Sequence, residues 1–525
     1  MERLGRGIVA VRSSNTDVLI SWRLLGLDPD DIAFNLYRTA IDNNRVKLNT
    51  AALRDGTNFV DRSADLTQEN TYTVRPVVDG QEGAVGGTFT LSADNAVEPV
   101  VRIPISKGGP IKFVWVGDLD GDGEYDYVLD RQTSPQLLEA YASNGTFLWQ
   151  VNMGPNSESQ DNISPGSSAN NLGHWDGVTV YDFDSDGRAE VAVRIANGVT
   201  FGDGQRFTHA NDDEQFIAIL DGRTRALRAR AQIPTDYISD GPLAARFGVG
   251  YLDGRQPSLI QWKWRREGQD APDGHNTRII DVDGDGQDEV HEIGFTLNGD
   301  GQLRYSLGPQ GIVHGDRFHI AKMDPQRTGL QGYGIQQNNP NGLLEYYYDA
   351  TQGKIIWKHS LPEGIADVGR GLVGDIDPTS PGMEVWSFSG VYNGPSNQLL
   401  EQNTTLAPWP HLGLYWDGDI LMELYNDGKI EKWDWESPST SNSVPRLVTT
   451  RNFGAGSNTG RNPAFHGDIL GDWREEVILV SPENDELIIF TADRPSDIRL
   501  YTLAHNPAYR NSMTLKGCLL AILST

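Results

Sequence analysis

Cysteine is almost absent. Cys518 is the only one among 525 residues, so no intrachain disulfide can form and a disulfide-built scaffold is excluded. Positive charge is also scarce. Lys and Arg number 44 against 72 Asp and Glu, a net charge of −28 that makes nucleic acid a poor partner. No run of about 18 apolar residues occurs, so no membrane span is expected. The opening "MERLGRGIVAVRSS" has neither a long apolar core nor a cleavage-site pattern, so no signal peptide is read there. Glycosylation-type triplets stand at Asn144, Asn162 and Asn403, and such triplets arise by chance in Asn-rich sequences.

Glycine, by contrast, is plentiful at 58 residues, well above the usual ~7 %. Many tight turns between short strands are expected, as in an all-β chain. The first 98 residues read as one small module. "GIVAVRS", "DVLISWRLLG", "AFNLYRT", "NFVDRS", "NTYTVRPVV" and "GTFTLS" are β-rich runs separated by polar turns. Leu66 stands six residues before Tyr72, Val74 follows and Trp22 comes earlier. This pattern resembles the tyrosine corner and core Trp of a fibronectin-type-III-like β-sandwich.

From residue 99 to 525 the texture changes. Acidic ladders recur, each followed by an apolar strand-like run: "GDLDGDGEYDYVL" at Asp118, "YDFDSDGRAEVAV" at Asp182 and "IDVDGDGQDEVHEI" at Asp281. Looser copies begin at Asp316, Asp375 and Asp468. Phrases such as "AYASNGTFLWQ", "AILDGRTRALRA" and "YYYDATQGKIIWK" suit outer hairpins. The wide gaps between Asp182 and Asp281 and between Asp375 and Asp468 each leave room for an unladdered repeat. "LDGRTRALRA" near Asp221 and "WDGDILMELYNDGKIEKWDW" near Asp417 are the expected occupants. About eight strand-only repeats point to an eight-bladed β-propeller.

The strict ladders share D-x-D-x-D-G-x-x-[DE]. Oxygen ligands at every second residue, with a glycine turn, suit one hard cation, and Ca²⁺ best of all. The expected ligands are Asp118, Asp120, Asp122 and Asp126 with the Glu124 carbonyl. In the second ladder they are Asp182, Asp184, Asp186, Arg188 and Glu190, and in the third Asp281, Asp283, Asp285, Gln287 and Glu289. Residues 281–292 also fit a helix-loop-helix calcium pattern, but the flanks are strand-like and the first two ladders have Leu129 and Val193 where that pattern needs Glu. The looser sets are Asp316, His319 and Asp324; Asp375, Asp377 and Glu384; and Asp468, Asp472 and Glu476. Loops of this kind usually brace a fold and do no chemistry.

Polar clusters outside the ladders are the better candidates for chemistry. Arg370 precedes a strand and its acidic loop. Asn458, Thr459, Gly460 and Arg461 stand in the same relation to Asp468, and "LAHNPAYRNS" supplies His505, Tyr509 and Arg510. Each Arg could equally pair with a nearby ladder carboxylate. The ladders, "GDWREEV", "GRGLVGDIDPTSPGMEVW" and "HNPAYR" together resemble the rhamnogalacturonan lyases of polysaccharide lyase family eleven, over nearly all of the chain. That resemblance implies an eight-bladed propeller with several Ca²⁺ ions and cleavage of the rhamnose–galacturonate backbone of pectin by β-elimination. It places catalytic roles on Arg370, Arg461 and Tyr509, and substrate contacts on Asn458, Thr459 and Gly460.

The chain departs from that pattern in three places. Arg461 stands where Lys is usual, and Arg is a poor general base. The base is therefore expected at Tyr509, its pKa lowered by flanking Arg, or at His505. Lys112 falls near the position of a usual Asn, as a substrate contact. The ending "MTLKGCLLAILST" is unlike the aromatic ending expected to complete a blade. The implied partner is an anionic cell-wall polysaccharide, rhamnogalacturonan I, with no nucleic acid, no membrane and a monomeric, secreted protein. The alternative is a calcium-braced propeller that binds carbohydrate or protein without catalysis.

Overall fold

Short apolar runs closed by glycine turns build β-structure nearly throughout. The computed structural model describes residues 1–41, 44–157, 177–211, 214–233, 245–263, 272–274, 276–402, 406–437, 443–456 and 462–515. Among the described residues no helix is long and apolar enough to cross a membrane.

The N-terminal part folds as two facing sheets. Val9–Arg12, Val18–Ser21 and Asn58–Asp61 make a three-stranded sheet. Ala33–Ala40 pairs with Asn70–Val78 in the second, with Arg45–Lys47, Gln81–Glu82 and Gly87–Leu91 alongside. Alternation along Asn70–Val78 turns Tyr72 and Val74 inward. They join Ile20, Trp22, Phe34, Leu36 and Leu91 in one core, with Trp22 edge-on to Phe34 at 5.6 Å. The expected tyrosine corner is not formed through the backbone near Leu66. The Tyr72 hydroxyl donates instead to buried Asp61 at 3.2 Å, while the Leu66 carbonyl accepts the Asp94 N–H.

Eight further antiparallel sheets follow among the described residues. The first strands of the eight, in order, are Val114–Gly117, Val178–Tyr181, Ala245–Gly250, Arg278–Ile280, Arg317–Ala321, Gly371–Gly374, Leu412–Leu414 and Phe465–Gly467. Seven of these sheets have four strands and the third has two. Asp221 belongs to the outer turn of the second sheet, between Gln215–Leu220 and Leu227–Gln232, so it does not mark a repeat as expected. The missing repeat is Ala245–Gly250 with Ser258–Lys263, a hairpin without a strict acidic ladder. The repeat expected near Asp417 is the seventh sheet.

Neighbouring sheets share apolar clusters, and the last packs on the first through Val116, Tyr127, Phe465, Ile478 and Ile489. First strands approach closely. A Cβ on Gly117 would come 2.5 Å from Val180, so only glycine fits there. The eighth sheet takes its fourth strand from Val100–Pro104, which pairs with Glu486–Phe490. That edge of the eighth sheet is thus filled by an early strand and not by the C-terminal end. The end itself, 516–525, lies outside the described residues.

The first strands have two distinct ends. Asp118, Asp182, Asp281, Asp375 and Asp468 each immediately follow the first strand of a sheet, at what we term the ladder end. Arg370 and His411 each immediately precede one, at the leading end. Contacts support a common direction: Gly369 lies against Asp316, and the Gly371 carbonyl lies 3.0 Å from His319 Nε2. The N-terminal sheets sit on the ladder end, where Gly5 donates to Gly123, Gly471 donates to Gly7, and Arg23 reaches Glu124 and the Ile469 carbonyl.

Candidate active site and metal cages

Each strict ladder is a self-capping turn. Asp118 accepts the N–H groups of Gly121 and Gly123 at 2.7 and 2.9 Å, with both glycines at positive φ. Asp182 and Asp281 do the same with Gly187 and with Gly284 and Gly286. Among the described residues four groups bring ligand atoms within 4.8 Å of one another: Asp118, Asp120 and Asp122; Asp182, Asp184 and Glu190; Asp281, Asp283 and Asp285; and Asp417, Asp419 and Glu423. The last was not foreseen, although its D-x-D-x-x-x-E spacing was readable. Among the described residues no Lys or Arg pairs with Asp118, Asp120, Asp122 or Asp126. Burial pushes Asp118 up to about 6 and Asp126 up to about 8. An all-oxygen, carboxylate-only set that is costly to keep ionised fits a hard divalent cation.

Other cages carry their own cations. Arg228 reaches Asp184 at 2.7 Å and Glu190 at 2.9 Å, and Arg304 reaches Asp283 and Glu289. Lys432 reaches all three members of its group, at 2.7 Å to Asp417, 2.5 Å to Asp419 and 2.9 Å to Glu423. Burial works against this ammonium, but the three carboxylates outweigh it and hold its pKa above the ordinary lysine value. Asp186 stands apart from its cage, engaged by Arg188 at 2.7 Å. The Glu124 side chain pairs with Arg23 at 3.2 Å, and the Gln287 N–H donates to Asp285.

One of the looser sets is corrected. Asp316 and Asp324 lie at opposite ends of the strand Arg317–Ala321, too far apart at ~3.3 Å per residue to share an ion. His319 is buried between them, bonded to the Gly371 carbonyl, and Asp324 pairs with Arg327. In the Asp468 set the three carboxylates are held in part by protein, while Asp468 Oδ1 is buried without a hydrogen-bond partner. Asp472 is held by Arg474 at 2.8 Å, Asp468 by Thr502 and the Leu503 N–H, and Glu476 by the Ile469 and Leu470 N–H groups. In the Asp375 set, Glu384 accepts from Ile376 and Asp377, and Asp377 from Thr379.

The leading end carries a different chemistry. Arg370 places Nη1 3.1 Å from His411 Nδ1, joining the sixth and seventh sheets. Asp316 is nearby. Burial raises its pKa, and His314, Arg317 and Arg370 pull against that rise. His411 was missed, although it precedes its strand as Arg370 does. Lys112 is also at this end, its N–H bonded to Asp130 at 3.0 Å. Asn458, Thr459, Gly460 and Arg461 lie outside the described residues.

Tyr509 and His505 do not belong to this end. The short helix Pro507–Ser512, capped by Asn506, brings Tyr509 to the ladder end of the eighth sheet. There its hydroxyl donates to Glu475 at 2.6 Å and accepts the Asp468 N–H at 2.9 Å. Burial and these two carboxylates push its pKa far up, so the expected low-pKa phenol between arginines is corrected. Arg510 pairs with buried Glu2. His505 accepts the Gly26 N–H on Nδ1 at 2.9 Å, at the seam with the N-terminal sheets, and burial lowers its pKa.

Comparison with known proteins agrees with this architecture. Residues 112–224 and 261–518 match the model of the rhamnogalacturonan lyase family 11 C-terminal domain, and residues 1–90 that of the rhamnogalacturonan I lyase beta-sheet domain. The rhamnogalacturonan endolyase YesW of Bacillus subtilis is 32% identical over 97% of this chain and 88% of its own. The exolyase YesX of the same organism is 30% identical over 97% and 92%. The crystal structure of YesW superposes with a TM-score of 0.84 over 99% of this chain and 95% of that one, and the Bacillus licheniformis lyase with 0.82 over 99% and 96%. The chain therefore belongs to rhamnogalacturonan lyase family 11 and is a polysaccharide lyase.

Proposed function

We propose that the protein cleaves the rhamnose–galacturonate backbone of rhamnogalacturonan I by β-elimination at the leading end of its first strands. The observation that carries this reading is the Arg370–His411 pair, a guanidinium presented at the end opposite the acidic ladders in a chain of net charge −28. In this reading Arg370 binds the galacturonate carboxylate and offsets the negative charge that gathers there as the C5 proton leaves. A base takes that proton, the C4–O bond breaks, a C4=C5 double bond forms, and the departing sugar oxygen takes up a proton. Tyr509 is not that base, because its proton is held at the ladder end.

The eight sheets are read as the blades of a propeller spanning 99–525. Support comes from the shared apolar clusters, the packing of last sheet on first, and the closing strand Val100–Pro104. Residues 1–98 are read as a fibronectin-type-III-like sandwich. Ca²⁺ is proposed at the Asp118, Asp120 and Asp122 cage, where its charge would offset crowded carboxylates and brace a turn. A polymeric cell-wall substrate favours a secreted protein.

The test is incubation of the calcium-loaded protein with rhamnogalacturonan I, following ultraviolet absorbance of unsaturated uronate ends. Absorbance that rises for wild type and falls with Arg370→Ala supports the reading. A folded, calcium-loaded protein that yields no unsaturated ends sinks it.

A further inference from the structure

The leading end also carries an aromatic pair. Trp409 is 48% exposed, although Pro408 and Pro410 on either side are buried. Two prolines fix the backbone around it, so the indole is held outward rather than left to collapse. Its edge-to-face partner is Phe388, with ring centroids 4.8 Å apart. Phe388 and Ser389 form a two-residue turn between the paired residues Ser387 and Gly390.

That turn is anchored from below. Glu345 is fully buried and accepts the hydroxyls of Ser387 and Ser389, each at 2.6 Å, one on either side of Phe388. Tyr333 donates to the same carboxylate at 2.6 Å, and His359 Nδ1 lies 2.8 Å from it. Register then places the turn beside the cation. Gly371 pairs with Ser387, so Arg370 and Phe388 continue from one register pair at the same end. His411, which touches Arg370, is two residues from Trp409, and its N–H donates to the Trp409 carbonyl at 2.9 Å.

An exposed, rigid indole beside a guanidinium is a poor surface for water and a good one for the C–H face of a sugar. We infer that Trp409, backed by Phe388, is a stacking platform for the rhamnose that adjoins the galacturonate held at Arg370. This rests on the lyase reading above for the identity of the polymer. Galacturonate and rhamnose alternate along the backbone, so the neighbour of a carboxylate-bearing sugar is the one with a methyl group at C6. The methyl-bearing sugar suits the indole, and the carboxylate suits Arg370.

The test compares wild type, Trp409→Ala and Trp409→Phe, each checked for an unchanged melting temperature. Initial rates on rhamnogalacturonan I are combined with calorimetric titration of a rhamnogalacturonan tetrasaccharide and of a galacturonate tetrasaccharide that lacks rhamnose. Trp409→Ala is expected to raise KM about tenfold with kcat changed less than about twofold, and Trp409→Phe to recover part of that loss. Affinity for the rhamnose-containing tetrasaccharide falls with Trp409→Ala, while affinity for the galacturonate tetrasaccharide does not. Unchanged KM and affinity overturn the platform, and an equal loss for both tetrasaccharides overturns its assignment to rhamnose. If wild type forms no unsaturated product, the lyase reading fails, and the platform is still judged by the two titrations.

Discussion

Replacing Lys432 with Met removes an ammonium shared by three carboxylates but keeps most of its apolar stem. The electrostatic loss can be apportioned by burial. The Asp419 side chain is 51% exposed, so its share is screened by water and small, ~0–1 kcal/mol. Glu423 is fully buried and Asp417 nearly so. Stripping the partner from a buried carboxylate costs ~3–5 kcal/mol. Lys432→Met is therefore expected to lose about 3–5 kcal/mol of stability in chelator, measured as a lower guanidinium unfolding midpoint. Calcium restores much of it, because the emptied group offers three converging carboxylates to a metal. Mass spectrometry of the native protein counts one more ion in the variant than in wild type. A variant as stable as wild type in chelator, or one rescued by calcium without an added ion, refutes the argument.

Other expectations follow from the same geometry. Folded Asp126 has its pKa raised to about 8, against ~3.9 in the unfolded chain. Its stabilising share is present below pH ~4 and is lost as pH rises toward 8, so the metal-free protein weakens over that window and calcium flattens the trend in melting scans. Tyr509→Phe is expected to cost ~1–3 kcal/mol by leaving the buried Glu475 carboxylate and the Asp468 N–H without their hydroxyl partner, with kcat near wild type; a collapse of kcat in folded protein returns Tyr509 to the chemistry. Arg370→Ala should lower kcat/KM by about 10²–10³-fold, measured on the polymer. Asp324→Asn should leave the bound-ion count unchanged, because Arg327 already occupies that carboxylate.

The features legible in the sequence are those that close on themselves within a few residues. A D-x-D-x-D-G turn carries its own hydrogen bonds, so Asp118, Asp182 and Asp281 announce their loops without help from the rest of the chain. The third sheet was hidden because Ala245–Gly250 has no such turn after it. Tyr509 was misread for a different reason. Arg370, Arg461 and Tyr509 look alike as polar clusters beside strands, but a string does not say which end of a strand a loop serves. A first strand of four residues separates the two ends by ~13 Å. The cations that enter the cages come from late in the same sheets: Arg228 and Arg304 from the last strands, and Lys432 from just past the strand Lys429–Glu431. Their partners are set by register, which no local motif displays.

The strand Val100–Pro104 also sets a timetable. It is made early, yet its partner Phe490 follows Val100 by 390 residues. At ~5–20 residues per second, synthesis leaves it unpaired for roughly 20–80 s. Contacts of such long separation slow folding, and an apolar strand left open that long can pair with another chain. The eighth sheet, built this way from an early strand and three late ones, cannot part from its neighbours without also breaking the pairing to residues 100–104. Yield in the cell should therefore depend on how well this one edge is kept apart from other chains until residue 490 has emerged.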